Sequence, residues 1–308
     1  MKMNVSSIFA VVILATVLMP NVSSAQRSRP LRVAFWNLEN FFDPADDKST
    51  AADDEFTPRG EYRWSYKRFE QKCQTIGKSI VAMELPVVVG LAEVENDGAL
   101  ASLCKGTALR NAQYGYVHYD SPDRRGIDCA LLYKQDRFSL LEQRRFSMTD
   151  YSVDFRTRDV LMVGGVVDAS DTLFVIVNHW PSQLGASEAD LHRQRIADFV
   201  LNLRDSLLRT HPQSLVLVMG DFNTELAQGQ GVGTYKYQGA WSWIDQILLG
   251  KEYDGLNHLK TLVATKPFSA EWLQINDDRY LGTKPFRTFL GPKYQGGVSD
   301  HLPVYRDL

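Results

Sequence analysis

SLVLVMGDFNTE, residues 214–225, begins as a short apolar run and ends polar. The run Leu215-Val216-Leu217-Val218-Met219 has the length and β-branched content of a buried strand rather than a helix. It stops at Gly220 and then presents Asp221, Phe222 and Asn223. Alternate residues of an extended chain share a face, so Asp221 and Asn223 are expected to point into one cleft while Phe222 turns back to the core. A carboxylate there can take a proton or hold a cation, and a carboxamide can donate to a phosphoryl or carbonyl oxygen. The same residues equally suit an Asx turn after a strand, and this stretch alone leaves the two readings level.

The chain has 308 residues, 44% hydrophobic and 23% charged, which is ordinary for a soluble globular protein and allows one large α/β domain or two small ones. A formal net charge of −3 gives no global basic field to mark a nucleic-acid binder, although a local basic patch or a bound cation would offset it. Lys2, the apolar residues 8–18 (IFAVVILATVL) and the small residues Ser23-Ser24-Ala25 read as a signal peptide over residues 1–25, with a single mature domain at 26–308. The apolar run is short for a membrane span, and no cysteine near the cleavage site offers a lipid anchor. A secreted or periplasmic monomer without a stable membrane anchor is the expectation. Cys73, Cys104 and Cys129 are odd in number and cannot all pair. Buried free thiols are the default, with a Cys73–Cys104 bridge as the alternative, and no Cys–His spacing resembles a zinc site.

Strands are predicted at residues 31–37, 87–94, 114–119, 127–134, 160–167, 172–179, 244–249, 259–265 and 298–305 in addition to the central one. The spacing of Phe69, Cys73, Ile76, Ile80 and Met83 predicts an amphipathic helix over 64–83, with Lys67, Arg68, Glu70, Gln71 and Lys78 on its polar side. A short helix follows Asp97 as its cap. A long helix over 187–209 starts at Ser187 and carries Ile196, Phe199, Val200, Leu203 and Leu207 inward, leaving Arg193 and Arg195 on a solvated face. Residues 43–61 form a polar loop without EF-hand spacing. Strands outnumber helices and alternate with them irregularly. The expected fold is an α/β four-layer sandwich: two mixed, mostly antiparallel β-sheets packed face to face, helices outside.

Polar residues recur at the ends of these strands: Asn37 and Glu39, Glu93, Asp128, His179, Asp221 and Asn223, Asp245, and Asp300 with His301. Unpaired buried carboxylates are costly, so this recurrence points to one acidic cleft holding a divalent cation. Oxygen donors without thiolates suit Mg2+ or Mn2+ better than Zn2+. The blocks WNLEN, GLAEVEN, RRGIDCALLY, VNHWPSQ, GDFN, WIDQILL and GGVSDHLPVY, in that order, resemble the endonuclease/exonuclease/phosphatase superfamily, and its exported bacterial members most. The resemblance runs from Arg32 to Tyr305. It implies Glu93 and Asn37 as metal ligands, with Asp300 and Glu39 beside them. It implies Asp221 as the acid that orients or deprotonates water, and Asn37, Asn223 and His301 on the phosphate. Asp245 falls where a supporting carboxylate is expected, and His179 where the deoxyribonuclease branch has a general-acid candidate. Asp128 and Arg125 fall beside the phosphate. The family's ion is Mg2+, with Mn2+ as a substitute and Ca2+ at a structural site.

Phosphate-ester hydrolysis needs an activated water, neutralised phosphoryl oxygens and a stabilised leaving oxygen, and these residue types supply all three. A His–carboxylate pair would hold an imidazole cationic, either Asp245 with His301 or Asp300 with His179. Asp128 would otherwise pair with Arg124 or Arg125. Trp180, Trp241 and Trp243 could stack on bases but suit core or rim packing. The expected function is a metal-dependent phosphoesterase, foremost a nuclease cleaving phosphodiester bonds in nucleic acid. The alternatives are an enzyme acting on phospholipid, inositol phosphate or another small phosphoester, and a catalytically silent binding protein. No exposed hydrophobic hairpin is legible that would favour a membrane substrate.

Overall fold

The strand β8 (Leu215–Asp221) sends Leu217 and Met219 to one side and Val216 and Val218 to the other, and all four are buried. A strand apolar on both faces must be covered on both. The computed structural model, which describes residues 30–46, 53–150, 156–182, 186–256 and 263–308, shows how. β8 lies in a five-stranded sheet in the order β11 (Asp245–Leu249), β8, β7 (Asp171–His179), β6 (Val160–Val167) and β5 (Phe138–Phe146). A six-stranded sheet faces it, ordered β12 (Lys266–Pro267), β17 (Val304–Asp307), β1 (Arg32–Phe41), β2 (Val88–Val94), β4 (Asp128–Lys134) and β3 (Tyr114–His118). Val33, Phe35 and Val88 of one sheet meet Val175, Met219 and Ile247 of the other. Ala34, Trp36 and Leu38 turn outward onto α1 (Tyr66–Ala82) and α2 (Asp97–Gly106). Phe174, Ile176, Val216 and Val218 turn outward onto Ile196, Ala197 and Val200 of α3 (Ala186–Thr210). The layers are helix, sheet, sheet, helix, with burial worth about 1.5–3 kcal/mol for each large apolar side chain enclosed.

Most strand pairs are antiparallel. Among the described strands only β1–β2 and β7–β8 run parallel, and a helix links each pair: α1 the first, α3 the second. The carboxyl ends of parallel strands are where α/β sheets present ligand-binding residues. Asn37 lies opposite Ala92 in one pair and His179 opposite Asp221 in the other. Both β1 and β2 are irregular there. The register shifts between Asn37 and Phe41 and between Ala92 and Val94, where Glu39 (φ 46), Asn40 (φ 53) and Glu93 (φ 62) adopt left-handed backbone. Such bulges re-aim a side chain that regular pleating would send elsewhere. Three small hairpins lie outside the main sheets: β9 (Tyr235–Tyr237) with β10 (Ala240–Ser242), β13 (Gln274–Asn276) with β14 (Thr283–Pro285), and β15 (Phe289–Leu290) with β16 (Lys293–Tyr294).

Several local expectations change. The first strand continues through its bulge to Phe41 instead of stopping at Asn37. Asn96, not Asp97, caps α2: its side chain accepts from Ala99 N at 2.8 Å. Arg193 is buried, donating to the carbonyls of Pro181 and Ser182, so this position is not on a solvated face. Lys72 is buried on α1, where Glu39 O and Thr288 Oγ1 accept from its Nζ. The loop after Asp43 is not wholly solvated, because Phe56 stacks between Phe42 and Tyr62 and Asp53 is buried. Residues 263–265 are not a strand, and the last strand is shorter, Val304–Asp307. β5 was not foreseen; its Glu, Gln and Arg residues hide the alternation. The expected signal peptide, residues 1–25, and residues 259–262 of an expected strand lie outside the described residues, while α3 begins at Ala186, one residue before the expected Ser187. No described helix is long and apolar enough to cross a membrane.

Cys73, Cys104 and Cys129 are free and buried, so the Cys73–Cys104 bridge does not form. Burial pushes the Cys73 and Cys104 thiols up to about 12, and the Cys129 thiol up as well. Thiolate is the reactive form. Native protein is therefore expected to resist iodoacetamide at mildly alkaline pH, while guanidinium-unfolded protein gains three adducts by mass spectrometry. Fast labelling of the native chain would contradict this burial.

Candidate active site

His179, Asp221 and Asp245 occupy one rung across the five-stranded sheet, His179 opposite Asp221 and Asp221 opposite Asp245. Gly220 permits the close approach of β7, since a Cβ there would stand 2.3 Å from Asn178 O. Asp221 is fully buried, and its oxygens are held from two directions. Oδ1 accepts from Asn223 N at 2.9 Å and Oδ2 from Asn37 Nδ2 at 3.0 Å. The Nε2 atoms of His179 and His301 lie 3.6 and 3.8 Å from Oδ2. Burial pushes the Asp221 carboxyl up, with Asp245 adding repulsion against the pull of His301, to about 7. A carboxyl in that range is matched to taking a proton near neutrality.

His301 reaches this rung from the loop before β17. Gly297 has no room for a side chain, because a Cβ would fall 1.9 Å from Phe286 O. The loop is tied to β1 twice: Trp36 Nε1 donates to His301 O at 3.0 Å, and Ser299 Oγ donates to Asn37 O at 2.6 Å. His301 Nδ1 lies 2.8 Å from Asp245 Oδ2, which also accepts from Thr234 Oγ1 at 2.6 Å. The Tyr235 ring covers the imidazole, centroids 4.9 Å apart. Burial alone would lower the His301 pKa, but Asp245 and Asp221 override it and hold His301 well above its ordinary value, an imidazolium. Of the two pairings the sequence allowed, Asp245–His301 is the one present. Asp300 lies 3.1 Å from Arg287 instead of pairing with His179. Burial and the nearby Arg158 and Arg125 hold His179 well below its ordinary value, so it is neutral, with Nδ1 buried and without a hydrogen-bond partner.

The six-stranded sheet supplies the opposite wall. The bulge turns Glu93 into the cleft, where Oε2 accepts from Asn40 N at 2.8 Å and Arg125 Nη2 at 3.1 Å, and Oε1 lies 3.8 Å from His179 Nε2. Burial would raise the Glu93 pKa, but Arg125 and the Asn40 amide keep it below the ordinary value and anionic. Asn37, Glu93 and Asp300 line the same cleft of about 850 Å³ as Asp221, Asn223 and His301. These are oxygen donors with no thiolate among them, which fits a hard divalent cation. Glu39 also lines it, but its carboxylate is engaged elsewhere: Oε1 accepts from Arg287 Nε and Nη2 at 3.1 and 2.9 Å, and Oε2 from Thr288 N at 2.7 Å.

The cleft thus gathers Asn37, Glu39, Glu93, Arg125, His179, Asp221, Asn223, Asp300 and His301, with Asp245 buried behind His301. Asp128 stays apart. It binds His118 Nε2 at 3.3 Å and Ser121 N at 2.8 Å, neither Arg124 nor Arg125, and does not line the cleft. Asn223 Nδ2 donates to Trp180 O at 2.8 Å, which fixes its amide. Trp180 and Trp243 are buried in the core. The cleft residues missed include Arg158, Tyr235 and Arg287. Arg158 donates to Trp180 O and pairs with Asp123 at 3.2 Å. None of the three stands at the end of an apolar strand, the one signal by which the others were found.

The family model described as Endonuclease/Exonuclease/phosphatase family matches residues 32–230 and 224–308. No curated protein sequence matches the chain. Among solved structures, a Bacteroides thetaiotaomicron endonuclease/exonuclease/phosphatase family protein is similar, with TM-score 0.52, 16% identity, and 91% of this chain and 98% of that chain covered. The human Nocturnin catalytic domain with bound sulfate has TM-score 0.51, 18% identity, and coverage of 90% and 93%. D. rerio TDP2 with a single-strand DNA product has TM-score 0.50, 16% identity, and coverage of 90% and 98%. At these identities the likeness is one of fold, while the family model spans nearly all the residues of both sheets and of the cleft. The chain belongs to the endonuclease/exonuclease/phosphatase family.

Proposed function

We propose that the protein is an exported, divalent-metal-dependent phosphodiester hydrolase acting on nucleic acid. One observation carries the reading: a buried carboxyl tuned to about 7, Asp221, stands between a neutral His179 and a cationic His301 on the floor of a cleft whose far wall offers oxygen donors. Water held by Asp221 loses a proton to it as its oxygen attacks phosphorus, and the opposite P–O bond breaks, its electron pair leaving on the departing oxygen, which takes a proton from solvent. Asn37 and the Asn223 amide keep that carboxylate aimed. His301, its Nδ1 anchored on Asp245, presents Nε2 to the charge that grows on the phosphoryl oxygens, and Arg125 adds a second cation at the rim. Glu93, Asn37 and Asp300 would hold the cation, which supplies Lewis-acid charge neutralisation at those same oxygens. Mg2+ suits the donors, and Mn2+ would substitute. The fold shared with a DNA-bound relative and the open cleft favour a polynucleotide over a small ester. Export rests on the signal-like residues 1–25.

Hydrolysis of bis-p-nitrophenyl phosphate with Mg2+ is the test. Wild type is expected to be active and to lose activity with EDTA. Asp221→Ala and His301→Ala should lower kcat by about a hundred- to ten-thousandfold with circular dichroism unchanged. An inactive wild type with both Mg2+ and Mn2+, or active variants, would sink the reading. Asp245→Asn keeps the shape but removes the charge behind His301, and a loss of roughly ten- to a hundredfold is expected, the scale for a partner that orients a functional group. Wild-type rates in this variant would show that His301 acts without Asp245.

A further inference from the structure

A second hollow of about 430 Å³ opens beside the catalytic cleft, and Tyr235, Tyr237, Arg287 and Asp300 line both. The two hollows share this edge, and the outer one is roomy enough for a nucleotide-sized group. Its wall is built from two hairpins locked together. The Tyr280 ring lies against Gly239, at the β9–β10 turn, where a Cβ would come within 2.9 Å of it. Lys236 Nζ donates to Leu281 O and Thr283 O at 2.8 and 3.1 Å and pairs with Asp277 at 3.0 Å. The catalytic chemistry uses none of this wall, yet it stands pre-formed at the mouth of the site.

Arg287 sits at the junction. Glu39 holds its Nε and Nη2 together, and Asp300 lies on the same Nη2. Glu39 is itself fixed by Thr288 N and, through its carbonyl, by the buried Lys72. The guanidinium is thus immobilised from behind. Its side chain remains 39% exposed, and no hydrogen bond from Nη1 is made among the described residues. A planar cation fixed in this way is a receptor for a phosphate oxygen. Beyond it Tyr237 is 64% exposed, a ring on a strand rather than on a loose loop. An exposed aromatic beside a fixed arginine is the pairing that binds a base and its phosphate without reading sequence.

We propose that this outer hollow is a subsite for the nucleotide next to the scissile phosphate. Arg287 takes the neighbouring phosphate, Tyr237 stacks on the base, and the substrate is a single-stranded polynucleotide segment. The assignment rests on the hydrolase reading above and gives Glu39 the role of positioning Arg287.

The test compares bis-p-nitrophenyl phosphate, which carries neither a second phosphate nor a base, with a short fluorescein-labelled oligothymidylate, both with the Mg2+-loaded enzyme. Tyr237→Ala should raise KM for the oligonucleotide roughly tenfold or more, the scale of one lost base stack, and lower its kcat/KM relative to the small ester by the same factor. Tyr237→Phe should restore it. Arg287→Gln should reduce the slope of log KM against log salt by about 1, the signature of one lost phosphate contact. If wild type cleaves both substrates and the ratio is unmoved in Tyr237→Ala, the subsite is wrong and the hydrolase reading stands. If wild type cleaves only the small ester, the subsite is wrong and the hydrolase reading stands without nucleic acid as its substrate. A wild type inert toward both removes the hydrolase reading and the subsite with it. Leu281 is 97% exposed and Leu290 60%; sedimentation with phosphatidylcholine–sphingomyelin vesicles, abolished in Leu281→Asp, would assign this rim to a lipid surface and overturn the proposal.

Discussion

Two carboxylates buried on adjacent strands at one rung, Asp221 and Asp245, are the constraint around which the site is arranged. Side by side out of water they repel, and a positive charge between them relieves that repulsion. The imidazole of His301 supplies it. This explains features that otherwise look unrelated: the glycine that lets the chain pass Phe286, the tryptophan that binds the His301 carbonyl, and the serine that ties the same loop to Asn37. Each holds one ring between two acids. The outcome is a division of labour by environment: His301 is kept cationic by carboxylates, while His179 is kept neutral by burial and by the charges of Arg158 and Arg125. Like residue types with opposite charge states at neighbouring positions are a mark of sites that do acid–base work.

The opposite wall is built at the cost of regular structure. Left-handed backbone at Glu39, Asn40 and Glu93 is uncommon for residues with side chains and persists only where surroundings enforce it. Here the enforcement is electrostatic. Glu93 is drawn by Arg125 and the Asn40 amide, and Glu39 by Arg287, Thr288 and the charge of Lys72 beneath it. Burial and Asp300 push Glu39 up to about 8 against the pull of Arg287 and Lys72, and burial pushes Lys72 down to about 8 against the pull of Glu39. The strained bulge and the hydrogen bonds that Lys72, Thr288 and Arg287 make to Glu39 sustain one another, and together they set the mouth of the cleft.

How much of this was legible in the sequence follows from chemistry rather than from luck. The strands with buried faces announced themselves through alternation, and their polar ends could be found because a lone carboxylate after an apolar run is hard to explain by packing. Hence Asn37, Glu93, His179, Asp221, Asp245 and His301 were all identifiable. Asp128 looked the same by that criterion but serves His118, because a strand end beside a different loop carries the same local signal. Arg158, Tyr235 and Arg287 lie in irregular polar segments where nothing local separates a cleft residue from a solvated one. The choice between the two His–carboxylate pairings was equally closed, since it depends on which strands are neighbours. β5 was hidden by charged residues on an edge strand, where a polar outer face is how open edges are protected.

Parallel pairing in the centre of both sheets has a consequence for how the molecule is made. β1 pairs with β2 on one side and with β17 on the other, so a strand near residue 40 has a partner beyond residue 300. Asn37 and Asp221 can meet only when the two sheets face each other, and His301 arrives later still along the chain. Contacts so distant in sequence form slowly and late. A polypeptide emerging residue by residue therefore lacks Asp300 and His301, and with His301 the ring between Asp221 and Asp245, until its last strand is in place.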